Sequence, residues 1–167
     1  QQLTDYLKKQ SIEVALAEYG VGAVTIMRAC REAGVPLIAH FHGFDAHNEN
    51  VLRDFRSSYA ELFETAAAII GVSQAMCVNL KEVGAPEEKI HYVPYYVDPD
   101  RFKATDAGTN PPRFLAVGRF VEKKAPHLTV LAFASILDQC PEARLDMIGD
   151  GVLLGPTRQL AKSMGIM

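Results

Sequence analysis

Phe114-Leu-Ala-Val-Gly118-Arg119-Phe-Val-Glu-Lys-Lys124-Ala-Pro126 opens a stretch that closes on Leu145-Asp-Met-Ile-Gly149-Asp150-Gly151, with a helical run between. A short apolar run ends at Gly118-Arg119. Pro126 stands where a helix should begin, because proline's missing N–H is no loss in a first turn. Arg119 is therefore expected in a strand-to-helix loop, and Lys124 beside a helix N-terminus. Unpaired backbone N–H groups and the positive end of the helix dipole gather there. Two cations at such a point suit an anion, phosphate above all. Taken alone, Glu122-Lys123-Lys124 would be an ordinary charged turn.

Working outward, strand-like and helix-like runs alternate. Leu3, Tyr6 and Leu7 read as the end of a helix, and Ile12 to Leu16 as a strand. Val21, Val24 and Met27 keep helical spacing up to Arg31, and Gly34 with Pro36 supplies the stop. Positions 36–41 read as a strand, 51–63 as one helix, and 66–72 as a buried strand. Ser73 is an N-cap for a helix through Val83. It sits in Gly-x-Ser-x-x, which is no nucleophile elbow. A short strand at 90–93 follows. Residues 99–112, rich in Asp, Pro, Thr and Gly, read as a linker. The pattern then restarts with a strand at 113–117, a helix at 126–137, a strand at 145–148 and a helix at 153–164.

The expected fold class is α/β: parallel, doubly wound sheets with helices on both faces. The expected layout is one domain over 1–98, a linker over 99–112, and the start of a second domain over 113–167. About 55 residues after the linker are too few for a complete domain of this class. The chain begins Gln-Gln and stops at Gly165-Ile-Met167, so an internal segment of a longer protein is expected.

The 167 residues are 49% hydrophobic and 22% charged, an ordinary globular composition. A net charge of −3 offers nucleic acid no basic field. No apolar run is long enough to cross a bilayer. The three cysteines, Cys30, Cys77 and Cys140, are far apart and fit a reducing compartment, so a cytoplasmic location is expected.

In an open α/β sheet, ligands bind beyond the carboxyl ends of the strands. The loops at His42-Gly43, at Gly118-Arg119 and at Gly149-Asp150-Gly151 lie there. Asp150 could serve as a cap for the helix after it. His40, His42, Asp45 and His47 come close in sequence, but their spacing matches no well-specified metal motif. A dinucleotide-binding oxidoreductase is disfavoured, because no G-x-G-x-x-G follows a strand.

Val117-Gly-Arg-Phe-Val-Glu-Lys-Lys124 with Ile148-Gly-Asp-Gly151 resembles the donor half of the retaining family-4 glycosyltransferases, which have the GT-B fold. Gly71-Val-Ser73 with Met76 and Leu80, Gly84-Ala-Pro86, Val93-Pro94, Val97-Asp98 and Phe102 resemble the segment joining that family's two domains. His40-Phe-His42-Gly-Phe-Asp45 resembles its acceptor-side loop. The resemblance runs over residues 11–167.

It implies two Rossmann-like domains, both incomplete here, with the acceptor side over 1–98 and the donor side over 113–167. It implies transfer of a sugar from a nucleotide diphosphate sugar to an acceptor hydroxyl with retained anomeric configuration. Arg119 and Lys124 would clamp the diphosphate, with Gly118, Gly149, Asp150 and Gly151 at the nucleotide. His42 would contact donor sugar or acceptor, the cleft closing about the linker. The donor is a substrate rather than a prosthetic group, and neither a cofactor nor a metal is expected. The acceptor would be a sugar, a lipid-linked sugar or a polysaccharide, and peripheral membrane contact stays open. A GT-B epimerase or phosphorylase and a non-catalytic nucleotide-binding module remain alternatives.

The sequence departs from the family's pattern at two places. Ala125 stands where the family usually has Gly; its methyl could crowd a backbone that approaches the phosphate closely, a small change expected to be tolerated. Tyr95-Tyr96 replaces a common Asn-Gly, with an effect expected on the local turn and not on the chemistry. The family's paired donor-site glutamates and glycine-rich loop are not in this sequence. Weak donor binding without turnover is expected of the 167 residues alone.

Overall fold

A computed structural model of the chain describes residues 1–104, 106, 108 and 110–167. Thr105, Ala107 and Thr109, within the expected linker, lie outside the described residues. The chain forms two compact units, Gln1–Asp98 and Pro99–Met167.

In the first unit, helix α1 (Gln2–Lys9) precedes strand β1 (Ala15–Glu18) and helix α2 (Gly20–Ala33). Strand β2 (Leu37–Phe41), helices α3 (Glu49–Asp54) and α4 (Arg56–Thr65), strand β3 (Ala68–Gly71), helix α5 (Gln74–Glu82) and strand β4 (Ile90–Tyr92) complete it. The strands form one parallel sheet in the order β1-β2-β3-β4. With right-handed crossovers, sequential order puts all the connecting helices on one face. The burial alternation agrees: Leu37, Ala39 and Phe41 are buried while Ile38 and His40 are only partly covered. The expectation of helices on both faces is corrected to this extent for the first unit. Its core is Phe41, Leu62, Ile69 and Leu80, all fully buried.

Two local readings shift. The first strand is Ala15–Glu18, displaced toward the C-terminus from 12–16, so it ends at Glu18 and not at Leu16. The helix expected over 51–63 is two helices that part at Phe55 (φ −102°, ψ 6°). The apolar stripe survives the break, since Tyr59 and Leu62 remain buried. Ser73 caps α5 as expected, its hydroxyl accepting the Met76 N–H at 3.1 Å.

In the second unit, strands β5 (Arg113–Val117) and β6 (Arg144–Ile148) pair in parallel. Helix α6 (Pro126–Leu137) joins them and helix α7 (Leu154–Ser163) follows. Val130 and Phe133 of α6 are buried, with Phe133 edge-on to Phe114 at 6.2 Å. Leu115, Val117 and Ile148 stay exposed on this two-stranded sheet.

Candidate functional site

The second unit places its site-bearing loops side by side at the carboxyl ends of β5 and β6. After β5 the chain runs through Gly118 and Arg119, makes a 3-10 turn at Glu122–Lys124, and enters α6 at Pro126. Gly118 N–H donates to Ile148 O at 2.9 Å, and Phe120 N–H to Asp150 O at 2.8 Å. Phe120 O accepts the Leu153 N–H at 2.9 Å, and the Phe120 side chain is buried. The loop carrying Arg119 is thus pinned to the loop carrying Asp150.

Gly149 (φ +150°) and Gly151 (φ +146°) make that contact sterically feasible. A Cβ on Gly149 would lie 1.9 Å from Gly118 O, and one on Gly151 2.5 Å from Phe120 O. Their backbone conformations also disfavour any other residue. Asp150 does not cap α7, as its sequence position had allowed. Its Oδ1 accepts the N–H of Gly151 at 2.7 Å, and α7 begins at Leu154 without a side-chain cap.

Arg119 and Lys124 line one hollow of about 210 Å³, with Gly118, Phe120 and Pro126 in its wall. Among the described residues, neither cation has an ion pair or a side-chain hydrogen bond. The first turn of α6 likewise has no side-chain cap, which leaves N–H groups to be satisfied. Two exposed cations and a bare helix N-terminus around one hollow make a region of positive potential. A larger hollow of about 780 Å³ opens at the other ends of the strands, near Arg113 and Arg144. Ligand sites in such sheets lie at the carboxyl ends, so the smaller hollow is the candidate.

Ala125, between Lys124 and Pro126, has φ +44° and ψ +53°. A methyl in the left-handed region is strained whether or not a phosphate is near. Backbone conformation is thus by itself a physical reason for glycine at this position.

The first unit builds a separate cluster at the carboxyl ends of β1 and β2. Glu18 pairs in register with His40, and the His40 and His42 ring centres are 4.5 Å apart. Glu18 Oε2 lies 2.6 Å from His42 Nε2 and 3.2 Å from His40 Nδ1. The hydrogen bond from His42 above all holds the Glu18 carboxyl below its usual range, with His40 adding to it. The Tyr95 hydroxyl contacts His42 Nδ1, and its ring stacks on the imidazole at 5.7 Å. Tyr19 packs the other ring contact, at 4.4 Å. His40 Nε2 is buried without a partner among the described residues.

Asp45 is fully buried beneath this cluster. Its carboxylate accepts the His42 N–H at 2.8 Å and the Gly20 N–H at the start of α2. A carboxylate at a helix N-terminus complements the dipole and the open N–H groups. The Tyr59 hydroxyl donates to Asp45 O at 3.3 Å, and burial, with the Asp45 charge, drives the Tyr59 phenol well above its ordinary value. Asp45 is thus turned inward, and His47 is exposed. Of the histidines and acids near His42 in sequence, only His40 joins it, and the acid is Glu18. Glu18, His40 and His42 offer ligand atoms within 4.8 Å of one another, a trio that sequence spacing did not show. Their mutual hydrogen bonds satisfy Glu18 and His42 as they stand.

Sequence reasoning missed Glu18, Tyr19 and Tyr95. Glu18 would have stood at a strand end had the first strand been set two residues later. Tyr95 was assigned to a turn without chemical consequence; instead its hydroxyl meets His42.

Comparison with known proteins places the chain in context. Residues 1–101 match the sequence profile described as Glycosyltransferase Family 4. A protein of Escherichia coli strain K12 carrying the name of a colanic acid biosynthesis glycosyltransferase, WcaL, is 29% identical over 144 residues. That alignment covers 83% of this chain and 35% of WcaL. The amylovoran biosynthesis glycosyltransferase AmsK of Erwinia amylovora is 30% identical over 115 residues, covering 68% of this chain and 28% of AmsK. Among solved structures, Anabaena HepE in complex with UDP superposes with a TM-score of 0.78 at 18% identity. It is matched over 99% of this chain and 49% of its own. The chain therefore spans about a third of the length of the curated relatives and about half of HepE.

Proposed function

Because the chain belongs to glycosyltransferase family 4, we propose that it forms part of an enzyme moving a sugar from a nucleotide diphosphate sugar to an acceptor hydroxyl, with the anomeric configuration retained. The observation that carries this reading is the pairing of Arg119 and Lys124 on one hollow, at the N-terminus of α6. As the sugar leaves, the glycosidic oxygen keeps the bonding electrons and negative charge grows on the diphosphate. Cations fixed beforehand at that place stabilise the transition state more than the ground state. Within the second unit we assign residues 113–167 to the donor, and we assign the first unit, 1–98, to the acceptor. Residues 99–112 serve as the connection.

In this reading Gly118 and Gly149-Asp150-Gly151 present backbone to the nucleotide, and His42 hydrogen-bonds the reacting sugar. No metal is assigned to the donor site, the positive charge coming from Arg119 and Lys124. The complex of HepE with UDP supports a uridine nucleotide. The names of the colanic acid and amylovoran relatives support a place in polysaccharide biosynthesis; within that reading the group moved is a hexosyl unit and the acceptor a growing polysaccharide or its lipid-linked precursor. A lipid-linked acceptor would bring the enzyme to the membrane surface from the cytoplasmic side.

Binding of UDP to this chain tests the reading directly. UDP should perturb the backbone amide signals of residues 118–126 and 149–151, and Arg119→Ala or Lys124→Ala should weaken that response. Perturbation that is absent there, or identical in both variants, removes the assignment.

A further inference from the structure

Glu18 ends β1 opposite His40, so its carboxylate reaches the place where the chain turns out of β2 at His42. A carboxylate can only accept hydrogen bonds. At 2.6 Å from Glu18 Oε2, His42 Nε2 must therefore bear a proton, and at 3.2 Å so must His40 Nδ1. A neutral imidazole carries a single N–H. On the neutral ring His42 Nδ1 is then a bare lone pair, against which the Tyr95 hydroxyl lies as a donor. The partner that orients one ring nitrogen decides what the other can do.

The surroundings hold the imidazole in this pose. The His42 N–H is tied to buried Asp45 at 2.8 Å. The Tyr19 ring packs on the imidazole, on a backbone with φ +69°, an uncommon conformation for a residue with a side chain. Tyr95 is held differently. It follows β4 in a stretch without regular structure and is 63% exposed. Its hydroxyl is the exchangeable partner, and a sugar hydroxyl is a donor of the same kind.

We infer that Glu18 is a positioning residue: by accepting the Nε2–H of His42 it fixes the tautomer whose Nδ1 accepts a hydrogen bond, from Tyr95 in the free chain and from a sugar hydroxyl in its place. The second half of this inference rests on the proposed meeting of His42 with the sugar; the first half does not.

Imidazole nitrogen NMR on the 167-residue chain, recorded on the neutral ring, tests the first half. His42 should show the single tautomer protonated at Nε2. Glu18→Ala should give a mixture of tautomers, and Glu18→Asp should restore part of the original population. Tyr95→Phe should keep the tautomer while changing the Nδ1 signal. Glu18 is more than half exposed, so these variants should fold, and Asp45, Tyr19 and His40 remain in place. A His42 spectrum unmoved by Glu18→Ala overturns the inference.

Sugar transfer by the full-length enzyme tests the second half. Glu18→Ala should lower kcat about tenfold, the worth of one charge-assisted hydrogen bond, with Glu18→Asp recovering part of it. If His42→Ala abolishes transfer and Glu18→Ala leaves it intact, the inference fails and the role of His42 stands. If His42→Ala leaves transfer intact while the tautomer responds to Glu18, the role of His42 at the sugar fails and the Glu18 assignment stands.

Discussion

Replacing Asp45 with alanine should unfold much of the first unit's margin of stability. Its carboxylate is fully buried and accepts two backbone N–H groups, those of Gly20 and His42. Alanine leaves both donors without an acceptor in a place that water does not reach. Hydrogen bonds to a charged group are worth about 1.5–3 kcal/mol each. Two of them, partly offset by the desolvation of the carboxylate that is no longer required, give about 3–5 kcal/mol. A domain of this size has only about 5–15 kcal/mol in all. Asp45→Asn should cost about half as much, since its amide oxygen replaces one acceptor while its NH₂ faces the other donor. Urea unfolding followed through the amide signals of residues 1–98 isolates the relevant transition. A lower midpoint at unchanged slope is the expected result. A loss below about 1 kcal/mol for Asp45→Ala would refute the claim that this carboxylate anchors α2 and His42 together.

Arg119→Ala in the full-length enzyme should lower sugar transfer around a hundredfold, about 3 kcal/mol, at unchanged melting temperature, as a kinetic assay with a thermal melt would show. Ala125→Gly should raise the stability of the second unit by about 1 kcal/mol, because it relieves a left-handed alanine, and denaturant unfolding measures it. Gly149→Ala should cost about 3 kcal/mol or more, since its Cβ would lie 1.9 Å from Gly118 O; collapse of the β6 amide signals would report it. The Glu18 carboxyl should titrate below its ordinary value of 4.5, chiefly because His42 donates to it. Its contribution to stability is then present above pH 4.5 and is lost as the pH falls through the lower native value. Melting curves of Glu18→Gln and its parent should accordingly diverge above that window and converge below it.

The site in the second unit was legible because its parts are neighbours in the chain. Gly118, Arg119, Lys124 and Pro126 sit within one strand–turn–helix unit, where proline geometry and helix-end chemistry act over a few residues. The same holds for the Ser73 cap and for α6, found where its apolar spacing placed it, at Pro126–Leu137. Apolar periodicity missed the end of β1, because Leu16 belongs to the pattern of hydrophobic residues and yet lies on the less covered face. It also missed the break at Phe55, which leaves the apolar stripe on one side intact.

Local patterning of this chain thus determined the alternation of strands and helices, the restart after residue 112 and the turn that carries Arg119 and Lys124 into α6, since these follow from backbone sterics and the spacing of side chains. Strand register decided what lies against His42. Pairing β1 with β2 brings Glu18 level with His40, and the path after β4 returns Tyr95 to a residue 53 positions earlier. Such contacts cost loop-closure entropy and are selected by the packing of the whole sheet; no short window of sequence contains that information.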